Sequence, residues 1–321
     1  MNSQEKKEIF LKEKAEYDGE IHHIFNKMEE ITNPSLIEID DLYGIVTGLS
    51  RDNAKKYRKI ILWLSIIGGI LTWSFLFYDE AEMHGLIVAC TVSIIILYFI
   101  KNYAEKMDCH RKYLEYRVLA ETLRVQFFLL YAGIAEPVTE MLPWFIKTGI
   151  PWINDILSEL DITNTEEERH IHYWIENQRD YHENAIKRKT PKYENEKRLE
   201  RVALIITICT YAFTLIVEVF IFYNYLANYN VNMIRAGLKI IIGTAALFAL
   251  FAANYYGKMS LYDNINDSKR MVLLYNEFEK EVDKEGGVVS EENIKFLARE
   301  FLIENSTWYA SQKTNKPDWV M

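Results

Sequence analysis

The sharpest chemical signal in this chain is one carboxylate, Glu218, set in a run (202–234) that holds no other charged residue. A carboxylate inside a hydrocarbon-length segment is expensive, and by default it marks an ion path, a proton relay or a buried partner charge. Thr207, Thr210, Tyr211, Thr214 and Glu218 follow one another at three- and four-residue steps, so a helix would place them on one face. Ser65, Gly68, Gly69 and Thr72 make a similar stripe in an earlier apolar run, and Ala246, Ala249 and Ala253 a small-residue face in a later one. Two readings stand. Thr207, Thr210, Tyr211, Thr214, Glu218, Ser65 and Thr72 line a water path, or the hydroxyls are interhelical contacts and Glu218 pairs with Lys239 or a lipid headgroup.

A second constellation is Arg117, Glu121 and Arg124 at i, i+4 and i+7, with Gln126 beside it. It reads either as a solvated helix face with an Arg117–Glu121 pair worth a few tenths of a kcal/mol, or as two guanidinium groups presented to an anion or nucleotide. A third group, His170, His172 and His182, lacks metal spacing: His170 and His172 fall on different helix faces, and there is no HExxH, CxxC or repeated HxxxH box. Glu168 shares a face with His172, and Gln178 with His182. No metal and no cofactor are expected. Enzymatic signatures are also missing, with no phosphate-binding glycine loop and no nucleophile elbow, so the chain is expected not to be an enzyme.

The elements that must position these residues are written in the hydropathy. Four runs are apolar over about the length that spans a bilayer: 60–78, 83–100, 202–234 and 240–257. So little chain remains that four such helices cannot readily be buried in a soluble fold of 321 residues. Trp63, Tyr78, Tyr98, Tyr103, Tyr223, Tyr225, Tyr255 and Tyr256 gather near the run ends, as interfacial aromatics do. Lysine and arginine flank the outer ends of each pair of runs. Segment 79–82 has none, and the later connection offers only Arg235 and Lys239. The positive-inside rule then puts both termini and the central block in the cytoplasm.

Fold class is therefore expected to be all-α: an integral membrane protein with four transmembrane helices in two hairpins plus a cytoplasmic helical bundle. The expected divisions are N-terminal cytoplasmic helices (1–58), transmembrane hairpin 1 (59–100), a cytoplasmic helical block (101–201), transmembrane hairpin 2 (202–257), and C-terminal cytoplasmic helices with a tail (258–321). Within these, 3–33 reads as one amphipathic helix ended by Pro34, and 36–49 as a short second one. The helix after the second run should continue to about Ala132, and Pro137, Pro143, Pro151 and Pro191 punctuate the central block. Helix returns at 258–285, Gly286-Gly287 makes a turn, and Ser290 caps a last helix to about Ser306 before an irregular tail. Asn102-Tyr103-x-x-Lys106-Met107 is echoed by Asn254-Tyr255-x-x-Lys258-Met259, a hint that the two hairpins are copies.

Composition closes off other classes. A net charge of −9 argues against nucleic acid as a partner. Three cysteines without a paired spacing argue against a disulfide scaffold, and the charged N-terminus does not read as a secretory signal.

The stretch Tyr116-Arg117-Val118-Leu119-Ala120-Glu121-Thr122-Leu123-Arg124-Val125-Gln126-Phe127-Phe128 resembles bacterial SLATT-like modules, the SMODS- and SLOG-associating transmembrane effectors. It is most similar to the membrane half of proteins that also carry a TRPM-type SLOG sensor. Trp174-Ile175-x-x-Gln178-x-x-Tyr181 and Glu304-Asn305-x-x-Trp308 resemble the same half, as does the order of two spans, block, two spans and tail over roughly 55–320. The resemblance implies a membrane-perturbing effector of a nucleotide-activated conflict or antiphage system, in the bacterial inner membrane. No SLOG domain precedes the spans, so a nucleotide sensor is expected to be a separate protein or the helical block itself. The implied partners are the lipid bilayer, further copies of the chain, and a nucleotide second messenger or sensor protein. In this reading Arg117, Glu121, Arg124 and Gln126 serve gating or cytoplasmic contacts. The alternatives are a membrane-anchored scaffold that binds a cytoplasmic partner without a pore, and a small transporter coupled through Glu218.

Overall fold

The computed structural model describes residues 1–24, 31–163, 171–223, 225, 229–257, 261–284 and 289–314, with 171–172 and 250–257 described as backbone. It is 85% helical, and among the described residues there is no strand. The helices are α1 Ser3–Ala15, α2 Pro34–Glu80, α3 Leu86–Met107, α4 Cys109–Tyr131, α5 Val138–Met141, α6 Trp144–Gly149, α7 Pro151–Leu157, α8 Ile171–Phe222, α9 Val231–Gly257, α10 Leu261–Lys284 and α11 Glu291–Thr314. Four of them, α2, α3, α8 and α9, contain windows long and apolar enough to cross a membrane.

Several boundaries differ from expectation for identifiable reasons. The first helix is short. A reciprocal cap starts α1, the Glu5 amide donating to Asn2 Oδ1 at 2.8 Å and the Asn2 amide to Glu5 Oε2 at 3.0 Å. It stops at Ala15, and the chain through Asp18 and Gly19 to Ile24 is not helical, although Tyr17, Ile21 and Ile24 keep helical spacing. Phe25 and Met28, which belong to the same expected stripe, lie outside the described residues. Pro34 ends nothing. It occupies the first position of α2, where a missing N–H is no loss, and the helix then runs unbroken for 47 residues into the first apolar run.

The helix after the second run does break. Asp108 adopts a left-handed φ of 47° between α3 and α4, a conformation aspartate tolerates better than most residues. Pro137, Pro143 and Pro151 do mark helix boundaries, but Pro191 sits inside the 52-residue α8. There it is exposed and costs one backbone hydrogen bond without ending the helix. Helix α8 ends at Phe222, so the run 202–234 is the end of α8, a connection and the first turn of α9. Ser290 caps α11 as expected, its Oγ accepting from the Asn293 amide at 3.2 Å. The helix passes Ser306 and reaches Thr314, where an irregular tail was expected. The Gly286-Gly287 turn, Lys258 and Met259 lie outside the described residues.

The chain divides into two compact units. One, here the packed unit, comprises Met1–Lys56, Asp108–Ile186 and Asn266–Met321; the other, the apolar unit, comprises Tyr57–Met107 and Lys187–Ile265. Of the four boundaries, two fall within the continuous helices α2 and α8, one at the end of α3 and one near the start of α10. The packed unit has a single apolar core. Its centre is α4, of which every residue from Leu114 to Leu130 except Arg117 is buried. Helix α11 packs along α4, and α1 lies on α7. The fully buried rings of Phe10, Tyr116 and Trp152 join α1, α4 and α7, with centroids 5.2–6.0 Å apart.

The apolar unit has the opposite character. No more than 11% of any of the four apolar windows is buried. Of the aromatics near the run ends, Trp63, Tyr98, Tyr103, Tyr223 and Tyr225 are exposed and Tyr78 is half-buried. The side chains of Tyr255 and Tyr256 lie outside the described residues.

Candidate functional site

The Arg117, Glu121 and Arg124 stripe is not a solvated face. Arg124 and Glu121 are each 8% exposed, on a helix surrounded by protein. Glu121 pairs with Arg124 at 3.1 Å, the i+3 neighbour, rather than with Arg117. The Arg124 guanidinium also donates to Gln178 Oε1 at 3.0 Å on α8 and to the Tyr43 hydroxyl at 3.0 Å on α2. Its central carbon lies 5.3 Å from the Tyr181 ring centre. One arginine thus joins three helices, and its charge is met by a carboxylate and two polar oxygens, as burial demands.

Arg117, two turns earlier, is handled differently. It stacks on Trp308 of α11, 3.9 Å above the ring. Two carboxylates face it, Glu121 and Glu304, and neither is bonded to it. Burial pushes the Glu304 carboxyl up to about 7; Glu121 and Asp267 push the same way, while Arg117 and Arg270 oppose. One residue on, Asn305 donates to the Val118 carbonyl at 3.3 Å. The neighbouring Tyr275 is wholly buried, and its hydroxyl has no hydrogen-bond partner among the described residues.

These contacts have a consequence for the sequence pattern. The α4 stretch, the Trp174–Gln178–Tyr181 series and the Glu304–Asn305–Trp308 series stand far apart in the chain, yet the fold brings all three together. Trp174 stacks on Phe128 with ring centres 5.1 Å apart, Gln178 and Tyr181 meet Arg124, Asn305 meets Val118, and Trp308 meets Arg117. Gln126 belongs elsewhere. Its side chain accepts from the Val138 amide at 2.7 Å and donates to the Glu136 carbonyl at 3.2 Å, which ties the turn after α4 to the start of α5. It clamps that turn.

Sequence reasoning missed a second buried carboxylate on α4. Glu115, 1% exposed, accepts from Lys6 at 2.8 Å, Arg111 at 2.8 Å and the Trp152 indole at 2.9 Å. The Arg111–Glu115 spacing of four was visible, but Lys6 and Trp152 come from distant helices. Beside it Glu13 accepts from Lys112 at 2.7 Å and from the Tyr116 hydroxyl at 2.6 Å.

In the apolar unit, Thr207, Thr210, Thr214 and Glu218 do share the less exposed face of α8, with Ala203 buried at its head; Tyr211 does not, being 54% exposed. Each threonine hydroxyl donates to its own helix four residues back, at 2.7–2.8 Å. Thr72 is exposed and does the same, and Ser65 is half-buried. Glu218 lies one turn from the end of α8, and its partner is Arg235 rather than Lys239. The contact is bidentate, at 2.9 and 2.8 Å. Lys239, one turn further along α9, pairs instead with Glu80 at the end of α2, at 2.9 Å. Arg235 and Lys239 therefore belong to a helix and not to a connecting loop, and α9 is pinned to both α8 and α2.

Small residues make close contact at one position of this unit and not at others. A Cβ on Gly68 or Gly69 would meet nothing within 4 Å, whereas one on Gly243 of α9 would lie 2.7 Å from Leu76 Cδ2. Ala246 is exposed and Ala249 half-buried; the side chain of Ala253 lies outside the described residues. Among the described residues of this unit, Ser74, Ser93 and Glu196 are buried polar positions, and Cys90 is buried as well.

Of the histidines considered for metal, His170 and the side chain of His172 lie outside the described residues, as does Glu168, and His182 is buried against Tyr275 with ring centres 6.1 Å apart. A different group, His23, Asp40 and Asp41, has ligand atoms within 4.8 Å of one another. Asp40 is already engaged there, bonded to His23 and accepting the Ile24 amide at 2.6 Å, which fixes the non-helical segment after α1 onto α2.

Comparison with known proteins gives no lead: no family model, curated protein or solved structure matches the chain.

Proposed function

We propose that this chain is a non-enzymatic membrane effector that opens an ion path or disrupts the bilayer, in a bacterial nucleotide-activated conflict or antiphage defence system. In this reading the apolar unit is embedded in the bacterial inner membrane as two transmembrane hairpins. Both termini and the central block are cytoplasmic, and the packed unit forms the cytoplasmic bundle. The observation that carries the membrane part is the contrast in burial: four spanning-length windows are at most 11% buried, so an apolar solvent must cover them. The effector part rests on the resemblance of the α4, α8 and α11 motifs to SLATT-like modules. That these motifs meet around Arg117 and Arg124 supports treating them as one working element.

Four spans enclose little space, so the path requires several copies of the chain. Thr207, Thr210, Thr214 and Glu218 would line it. In this reading the held state is kept by the Glu218–Arg235 and Glu80–Lys239 pairs, which tie α9 to α8 and α2. A nucleotide second messenger or a separate sensor protein would relieve that hold through the packed unit.

One observation favours a second reading, a membrane-anchored scaffold without a pore. The threonine hydroxyls are bonded to their own helix and Glu218 to Arg235, which leaves little for an ion. Expression in cells carrying a membrane-potential dye separates the two. The effector reading expects depolarisation by the wild type and a different response from Glu218→Ala; a steady potential with and without candidate cyclic nucleotides supports the scaffold.

A further inference from the structure

The α4–α11 junction holds a carboxylate with no direct counter-ion. Glu304 is partly buried on the face of α11 that meets α4, and among the described residues no hydrogen bond or ion pair reaches it. Its environment is built from every helix around it. From α4 come Arg117, which attracts it, and Glu121, which repels it; from α10 come Asp267 and Arg270, again one of each sign. The wholly buried Tyr275 hydroxyl, also on α10, faces the same cluster without a partner. Tyr181 and His182 of α8 close the far side, Tyr181 beside Arg117 and His182 beside Tyr275. Arg117, the cation best placed to pair with Glu304, is held instead over the Trp308 ring.

A neutral Glu304 lies beside Glu121 without charge repulsion, whereas an ionised one brings a second negative charge into a site where Glu121 is already committed to Arg124. The ionised carboxylate must then find Arg117, which means taking the guanidinium from Trp308, or move toward solvent. We propose that Glu304 is a proton-operated catch: protonated, it lets α11 seat on α4, and deprotonated, it competes with Trp308 for Arg117 and loosens that seat. The raised affinity for the proton agrees with the geometry. Because the folded chain keeps this proton up to about pH 7 while an unfolded glutamate releases it near pH 4.3, the seat is strongest in acid and weakens across that interval. The inference concerns the packed unit and holds whether or not the apolar unit forms a path.

The test is hydrogen exchange of α11 amides in the full-length protein in lipid nanodiscs, read as the ratio of wild type to Glu304→Gln. The ratio removes the intrinsic pH dependence of exchange. Between about pH 5 and about pH 8 it should rise by about tenfold or more, as deprotonation loosens the wild type alone. Should Glu304→Gln not fold, a carboxyl titration followed by infrared difference spectroscopy replaces it. Arg117→Gln removes the attracting charge and should move the wild-type transition to higher pH. A ratio that stays flat, or a titration indifferent to Arg117, overturns the proposal.

Discussion

Helix α4 carries two charged sites solved in opposite ways. On the flank that meets α1 and α7, Glu115 has three donors within 2.9 Å, and the ionised carboxylate is fully compensated. On the flank that meets α8, α10 and α11, Arg124 is compensated, but Arg117 rests on a ring and Glu304 has no bonded partner among the described residues. The first arrangement locks α1, α4 and α7 together through direct contacts. The second leaves the seat of α11 dependent on a proton and on the position of one guanidinium. A helix that must be both anchored and movable would be built this way, anchored on one side and adjustable on the other.

The comparison can be broken most strongly at its rigid side. Glu115→Ala leaves the Trp152 N–H unsatisfied, takes the carboxylate partner from Lys6 and leaves Arg111 with Asp108 alone, and should cost about 3–5 kcal/mol in chemical unfolding of the detergent-solubilised protein; a loss below about 1 kcal/mol would mean the three contacts are not acting together. Next in size is Gln126→Ala, which orphans the buried Val138 amide and should cost about 1–3 kcal/mol by the same measurement. An unchanged midpoint would contradict the clamp assigned to that side chain. Glu304→Gln should be the mildest at acid pH, within about 0.5 kcal/mol of wild type, and should become the more stable protein above about pH 7. Its sign is set by the direction of the shift: the variant has no proton to lose, so it escapes the decline that the wild type shows as pH rises from about 4.3 to about 7. Equal stabilities at both ends of that range would remove the contrast between the two flanks.

Much of this was legible in the residues, and the exceptions are instructive. Spanning length is a one-dimensional property, so the four apolar helices could be read directly, although Phe222 and not Ile234 ends the third. The charged stripe of α4 was visible as a pattern but not as an environment. Arginine and glutamate at helical spacing look the same whether the face meets water or Gln178 and Tyr43, and only the fold supplies those partners. The early amphipathic pattern failed for a related reason: Tyr17, Ile21 and Ile24 keep helical spacing, yet the chain there is not helical, and Asp40, distant in sequence, captures the Ile24 amide. Glu218 pairs with Arg235 and not with Lys239, because Arg235 becomes a neighbour only once α9 begins at Val231.

The central claim is that the apolar unit acts on a bilayer and the packed unit restrains it. The most direct measurement is efflux of a trapped ion or dye from vesicles into which the purified full-length chain has been inserted, with insertion verified by flotation. The account predicts leakage that grows steeply with the amount of inserted protein, as an assembly of several copies requires. Vesicles that retain their contents at every loading, with the protein inserted, would contradict it.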